Sequence, residues 1–207
     1  VALAAAEDKA VLGAIKHAVD EKIVVPILIG DKSKIEEIAK SLNFDISNIE
    51  VIDNTEGAAR SASIAVEQIR TGNASILMKG NVATGTLLKA TLNKENGLRK
   101  SDVLSHVAFF ESPHYHKLLC VTDVAMNIAP DLDTKVHILN NAVDACTKIG
   151  IDMPKVAVIA AVETVNHKMP ATIDAAILKT MNEQNQMFKC IVDGPLAIEN
   201  AVSKEAA

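Results

Sequence analysis

Apolar and polar positions follow two rhythms along this chain. Short apolar runs recur as "VALAA", "IVVPILIG", "IEVID" and "ASILMKG". Each is too short for a helix and is bounded by turn residues, the pattern of buried strands. Between them the period is helical. Val11, Leu12, Ile15, Ala18 and Val19 form one stripe, and "KIEEIAKSL", "TEGAARSASIAVEQIRTG" and "TGTLLKATLNK" follow. Strand and helix alternate through residues 1–95, which predicts a parallel sheet with helices on both faces. Local signals set the ends. Glu7 and Asp8 suit a first helical turn. Ser33 caps the second helix, and Thr71-Gly72-Asn73 stops the third. Pro26 within an apolar run implies an edge strand or a bulge.

The rhythm breaks after residue 95. "LSHVAFFESPHYHKLLCVTD" reads as strand, tight Ser112-Pro113 turn and strand, a β-hairpin spanning 104–122. "TDVAMNIAPDL" is an irregular loop. A helix follows, with Asp133 as its cap and Gly150 as its stop. "PKVAVIAAVE" is a strand, "ATIDAAILKTMNEQ" a helix, "FKCIVDGP" a strand and "LAIENAVS" a short helix. The expected class is therefore α/β with parallel-rich sheets. The expected lobes are 1–95 and 96–207, the second carrying the hairpin arm.

Composition narrows the function. Hydrophobic residues make up 49% of the 207, yet aromatics are 2% and Trp is absent. The core must be Ala, Val, Ile and Leu, and the aromatic platforms of single-strand nucleic-acid readers are missing. The net charge of −5 comes without a basic face, which argues against nucleic acid as a partner. Cys120, Cys146 and Cys190 are odd in number and form no C-x-x-C, so a reducing, cytoplasmic setting is expected. No apolar run is long enough to span a bilayer. The chain opens at Val1 inside a strand-like run, as a fragment would.

In parallel α/β sheets ligands gather beyond the carboxyl ends of strands. Polar groups stand at four such ends. Lys79, Gly80, Asn81 and Thr84 follow one strand, and Asp123, Met126 and Asn127 another. Glu163, Thr164, Asn166, His167 and Lys168 follow a third, and Asp193, Gly194 and Pro195 a fourth. Gly80 permits close backbone approach, and a loop entering a helix at Thr84 offers free N–H groups to an anion. Lys79 and Lys89 add charge. The same residues also make an ordinary strand-to-helix turn. Gly80 and Gly85 have P-loop spacing, but Thr86-Leu87 replace its Lys and Ser/Thr, so a P-loop nucleotide site is not expected. His114 and His116 fall on one strand face without further ligands, so no metal site is expected. Ser105 and His106 are neighbours on a strand, pointing to opposite faces. The three cysteines read as small buried hydrophobes.

The ordered motifs "VALAAAED", "LMKGNVATGTLLKATLN", "LSHVAFF", "VTDVAMNIAPDL", "PKVAVIAAVETVNHKMPATIDA" and "DGPLAIENAVSKEAA" span essentially the whole chain. Together they resemble the phosphate acetyl/butyryl transferase family. The likeness is greater to its butyryl branch. Acetyl members usually carry a Ser/Thr-rich segment after "AAVETVNHK" and an arginine near Lys89.

The resemblance implies reversible transfer of a short acyl group, butyryl by preference, between coenzyme A and orthophosphate, with no metal or redox cofactor. It implies two lobes like those of isocitrate and isopropylmalate dehydrogenases, a cleft between them, and a longer chain returning to complete the first lobe. It implies a homo-oligomer, a dimer or larger, with small-molecule substrates and no membrane partner. On that basis phosphate or coenzyme A is assigned to Lys79, Gly80, Asn81, Thr84, Lys89, Asp123 and Asn127. Catalytic roles fall to Glu163, Thr164, Asn166 and Asp193. Glu163 or Asp193 would take the thiol proton, which requires a carboxylate pKa raised by burial. Met126, Phe109 and Phe110 are assigned to an acyl pocket. Three other readings compete. One is another acyl preference, acetyl or propionyl. One is a non-catalytic coenzyme A-binding or assembly module. The last is a metal- and nicotinamide-dependent dehydrogenase, disfavoured by the lack of an Asp cluster and of G-x-G-x-x-G.

Overall fold

The computed structural model describes residues 1–187 and 189–203. The chain forms two compact units, Val1–Lys100 and Ser101–Ala207.

In the first unit β1 (Ala2–Ala4) lies at the centre of a four-stranded parallel sheet. Its neighbours are β2 (Ile27–Gly30) and β4 (Leu77–Lys79), and β3 (Glu50–Asp53) pairs with β2, giving the order β3-β2-β1-β4. Alternation along β1 and β2 sends side chains to two cores. Ala2, Ala4, Ile27 and Ile29 pack with Ala62 and Ala65 of α3 (Ala58–Arg70). Leu3 and Leu28 pack with Leu12 and Ile15 of α1 (Lys9–Asp20) and Ile35 of α2 (Lys32–Ser41). Alanine on both sides of the first core is what brings α3 close to the sheet. The strand α3 leads to, β4, joins on the far side of β1, so the direction of winding reverses between β1 and β4.

Several ends differ from the sequence expectations. Asp8 is the cap of α1 rather than part of its first turn: its Oδ1 accepts from the N–H groups of Ala10 and Val11 at 2.9 and 3.0 Å. Asp31, not Ser33, caps α2, accepting from Lys34 N at 3.3 Å. An aspartate two residues upstream offers an equivalent acceptor, and the strand end places it first. Pro26 marks neither an edge nor a bulge. It precedes interior strand β2, whose first N–H, that of Ile27, goes to Val1 O at 2.7 Å.

In the second unit β5 (Ala108–Ser112) and β6 (Tyr115–Val121) form the expected antiparallel hairpin. Residues 103–107 lie ahead of it without strand structure, so Ser105 and His106 are not on a strand. His114 sits in the turn and only His116 in β6, so the two do not share a strand face. β7 (Lys155–Ile159) and β8 (Ile191–Leu196) are parallel and joined through α6 (Pro170–Glu183). Leu139 and Val143 of α5 (Leu132–Lys148), Leu178 of α6 and Val192 of β8 form this unit's core. Lys135 of α5 pairs with Asp174 of α6. Asp131, not Asp133, caps α5, accepting from Thr134 N at 2.9 Å. A short helix, α7 (Ile198–Val202), follows β8.

β7 stops at Ile159, so Ala160–Val162 belong to the loop and not to the strand. Asp193-Gly194-Pro195 lie inside β8, not in a turn after it. The register slips between Ala157 and Ile159, and the ladder resumes with Ala160 N donating to Leu196 O at 2.9 Å. A Cβ on Gly194 would stand 2.8 Å from Val158 O, so glycine there serves close strand contact rather than a turn. Phe188, expected at the start of this strand, lies outside the described residues.

Candidate functional site

The winding reversal between β1 and β4 is where an open α/β sheet offers a crevice beyond its strand ends. The turn Lys79–Thr84 stands there. Gly80 N donates to Ala4 O at 2.9 Å and Asn81 N to Ala5 O at 2.8 Å, which ties the turn to the end of β1. These two amides are thereby used by the protein. The amine of Lys79 folds back, 2.9 Å from Val82 O, and closes the turn. Helix α4 (Thr84–Thr91) has no side-chain cap. The N–H groups of Thr84 and Gly85 therefore lack an intrahelical acceptor and carry the positive end of the helix dipole. Lys89 lies in the last turn of α4, about 7.5 Å along the axis from Thr84 at 1.5 Å per residue. The structure thus brings Lys79, Gly80, Asn81 and Thr84 together and sets Lys89 apart.

In the second unit Asp123 organises the loop after β6. Its Oδ1 accepts from the N–H groups of His106, Ala125 and Met126 at 3.1, 3.2 and 3.2 Å. Its Oδ2 accepts from Asn127 N at 3.0 Å and from the Asn127 side-chain amide. The same amide reaches Leu104 O at 3.0 Å, and Thr122 Oγ1 donates to His106 O at 2.6 Å. Burial pushes the Asp123 carboxyl up, but the Asn127 amide and three backbone N–H groups outweigh it and hold the group down at about 2. Asn141 of α5 secures the segment before the hairpin, donating to Val103 O and Ser105 Oγ at 3.1 and 3.0 Å. The spacing D-x-x-x-N after Thr122 is the sequence signal for this hub, since Asp side chains commonly bond backbone a few residues on.

Glu163 and Thr164 are exposed in the loop after β7. Asn166 shapes that loop: its side chain accepts from Lys168 N at 3.0 Å, and its N–H donates to buried Thr172 Oγ1 at 2.9 Å. Asp193, with its side chain 59% exposed, accepts from Lys179 Nζ at 2.7 Å. That lysine, assisted by Gly194 N–H, holds its carboxyl below the ordinary range, the opposite of the direction a base for a thiol requires. Phe109 and Phe110 are adjacent on β5 and so face opposite sides of the hairpin; a single pocket receives one of them. Burial, with the neighbouring Cys146 thiol, pushes Cys120 up to about 12. Burial also raises Cys190. Neither thiol is poised as a nucleophile. Among the described residues no group of three or more His, Cys, Asp or Glu side chains could hold a metal ion.

The chain matches the family described as "Phosphate acetyl/butaryl transferase" over residues 1–61 and 58–207. It is 45% identical over 207 residues to the phosphate butyryltransferase of Clostridium beijerinckii, covering 100% of this chain and 68% of that one. This chain belongs to the phosphate acetyl/butyryl transferase family. Within the family it is also similar to the phosphate acetyltransferase of Thermotoga maritima, 40% identical over 208 residues, covering 100% of this chain and 70% of the other. A branched-chain phosphotransacylase from Enterococcus faecalis shares its fold with a TM-score of 0.82 and 32% identity, across 99% of this chain and 71% of that one.

Proposed function

We propose that the protein is a phosphate acyltransferase that moves a short acyl group, butyryl by preference, reversibly between coenzyme A and orthophosphate. The observation that carries this reading is 45% identity to a phosphate butyryltransferase along the full length of the chain. The lower identity to a phosphate acetyltransferase, 40%, favours butyryl over acetyl. Phosphate attacks the thioester carbonyl, a tetrahedral oxyanion forms, and the coenzyme A thiolate leaves. The protein's task is to hold the anion, align it and stabilise the oxyanion, for which alignment supplies several kcal/mol and each fixed donor about 3–4 kcal/mol. The residues need no redox or metal chemistry for this sequence of steps.

In this reading phosphate rests at the Lys79–Thr84 turn, held by the first-turn N–H groups of α4 and by the Lys79 amine once it leaves Val82 O. Thr164 and Asn166 donate to the carbonyl or the sulfur. Asp193 is engaged by Lys179, so Glu163, exposed in the loop after β7, receives the thiol proton in the reverse direction once bound coenzyme A covers it. Met126 and one of the two phenylalanines line the acyl chain. The two units correspond to the family's two lobes. The protein works in the cytoplasm as a homo-oligomer. Phe110 and Val121, exposed on one face of the hairpin, are its subunit contact, and light scattering should give the mass of at least a dimer. A monomer at micromolar concentration would remove that assignment.

Lys79→Met keeps the aliphatic stem and removes the charge. It is expected to raise the KM for phosphate about tenfold, as loss of a charge-assisted contact of about 1.4 kcal/mol would. Phosphate titration at saturating butyryl-CoA checks this, and an unchanged KM and kcat would take Lys79 out of the site. Formation of butyryl phosphate from butyryl-CoA, followed by phosphorus NMR, tests the reaction itself.

A further inference from the structure

One carboxylate oxygen in the first unit is enclosed without a partner. Oε2 of Glu7 is shut off from solvent and receives no hydrogen bond from the protein. An ionised carboxylate only accepts, so the missing partner is a donor, and leaving it unmet destabilises the fold. The sequence makes room for this oxygen. It lies over Gly30 at the end of β2, where any Cβ would overlap it and stand 2.9 Å from Glu7 Cδ. The backbone beneath is fixed on both sides. Ala6 N donates to Ile29 O at 3.0 Å, and Ala5 O accepts from Asn81 N at 2.8 Å. Glu7 thus stands beyond the carboxyl end of β1, two residues from the carbonyl that seats the Lys79–Thr84 turn, and the residue as a whole keeps partial exposure. Two residues of chain span at most about 7 Å, and an anion with a hydrogen bond of about 2.7 Å on either side bridges such a distance.

The reaction has a proton that needs an acceptor. Hydrogen phosphate carries one, and the acyl phosphate it forms carries none. We propose that Glu7 is a catalytic residue that holds orthophosphate by its proton: the carboxylate accepts the hydrogen bond of the P–O–H group and takes the proton as that oxygen bonds to the thioester carbon. The C–S bond then breaks, and the thiolate takes a proton from Glu163, the reverse of the thiol deprotonation assigned to that residue. One proton enters on phosphate and one leaves on coenzyme A, and exchange with solvent resets the two carboxyl groups. The inference rests on the phosphate acyltransferase reading. It also sets anion specificity. Sulfate has the shape and charge of hydrogen phosphate but no proton, so it meets Glu7 as negative charge against negative charge.

The test is sulfate inhibition of phosphate-dependent coenzyme A release from butyryl-CoA by the intact protein, in wild type and in Glu7→Gln, which keeps the shape and adds an amide donor. In wild type the Ki of sulfate is expected at least about tenfold above the KM of phosphate. In Glu7→Gln kcat should fall about 100-fold, the low end for loss of a general base. The ratio of sulfate Ki to phosphate KM should drop at least about fivefold, because the amide donates to sulfate. A glutamate that served only the fold would shift both anions together and leave the ratio unmoved. Stability supplies a readout free of activity: with an unmet buried charge removed, Glu7→Gln should melt in urea at or above the wild-type midpoint. A clearly lower midpoint would make Glu7 part of the fold and overturn the proposal. So would a wild-type sulfate Ki equal to the phosphate KM, or a variant with kcat and ratio within twofold of wild type. If wild type releases no coenzyme A in the presence of phosphate, the acyltransferase reading fails and the role of Glu7 with it. If wild type is active and the variant matches it, the role of Glu7 alone fails.

Discussion

Gly80→Ala is expected to cost the first unit about 3 kcal/mol, the upper end of what an overpacked site normally loses. A Cβ at Gly80 would meet Ala5 O at 2.2 Å, Ala4 O at 2.5 Å and Ala5 C at 2.9 Å. All three are backbone atoms of the central strand, which is paired on both sides, and of the residue that follows it; both residues are wholly buried, so these atoms have nowhere to go. Relief would require breaking the bonds from Gly80 N to Ala4 O and from Asn81 N to Ala5 O, which seat the turn. The proposed phosphate turn would then lose its position together with the fold around it. Gly85→Ala is the control: nothing lies within 4 Å of its Cβ, and alanine is the better helix former. It should change stability by less than about 1 kcal/mol, in the stabilising direction. Urea melts of the two variants beside wild type decide the matter. Equal midpoints for Gly80→Ala and wild type would contradict the packing described here.

Acid should loosen the second unit through Asp123. Its folded carboxyl, at about 2, lies below the ordinary value of 3.8. A group depressed in this way contributes its full stabilisation above the unfolded value and loses it as pH falls through the folded one, here from about 4 to about 2. Allowing for partial exposure, the contribution is about 1–2 kcal/mol. Asp31, Asp45, Asp131 and Asp193 are also held low, so wild-type stability alone does not isolate the hub. The difference between wild type and Asp123→Asn does. That difference should be largest at pH 7 and shrink between pH 4 and pH 2. Parallel curves across this window would show that the hub's charge is not what holds the loop.

How far these features were legible in the sequence depends on whether their partners are near in the chain. The β-α order of the first unit was readable because each strand is a short apolar run and each helix has one buried stripe. The hairpin was readable from two apolar runs around Ser112-Pro113. Caps were read at the wrong residue where two acceptors compete, since Asp31 and Asp131 precede Ser33 and Asp133 and cap equally well. Asp193-Gly194-Pro195 has the letters of a turn, and nothing local shows that a register slip against β7 keeps it inside a strand. The Lys79–Thr84 turn was recognisable as a polar strand end. That Gly80 and Asn81 spend their amides on Ala4 and Ala5 follows from the pairing of β1 with β4, across more than seventy residues, which no local pattern encodes. The strand-end list placed Asp123, Met126 and Asn127 together. Their hydrogen bonding shows Asp123 and Asn127 as the frame of the loop, with the Met126 N–H among the donors Asp123 gathers.

The central claim is that this protein transfers an acyl group between coenzyme A and orthophosphate. Its most direct test is coenzyme A release from butyryl-CoA, followed with a thiol reagent, with and without orthophosphate. Release that requires phosphate and saturates with it is the predicted result. A folded protein that releases no coenzyme A from acetyl-, butyryl- or hexanoyl-CoA, or releases it equally without phosphate, would contradict the account.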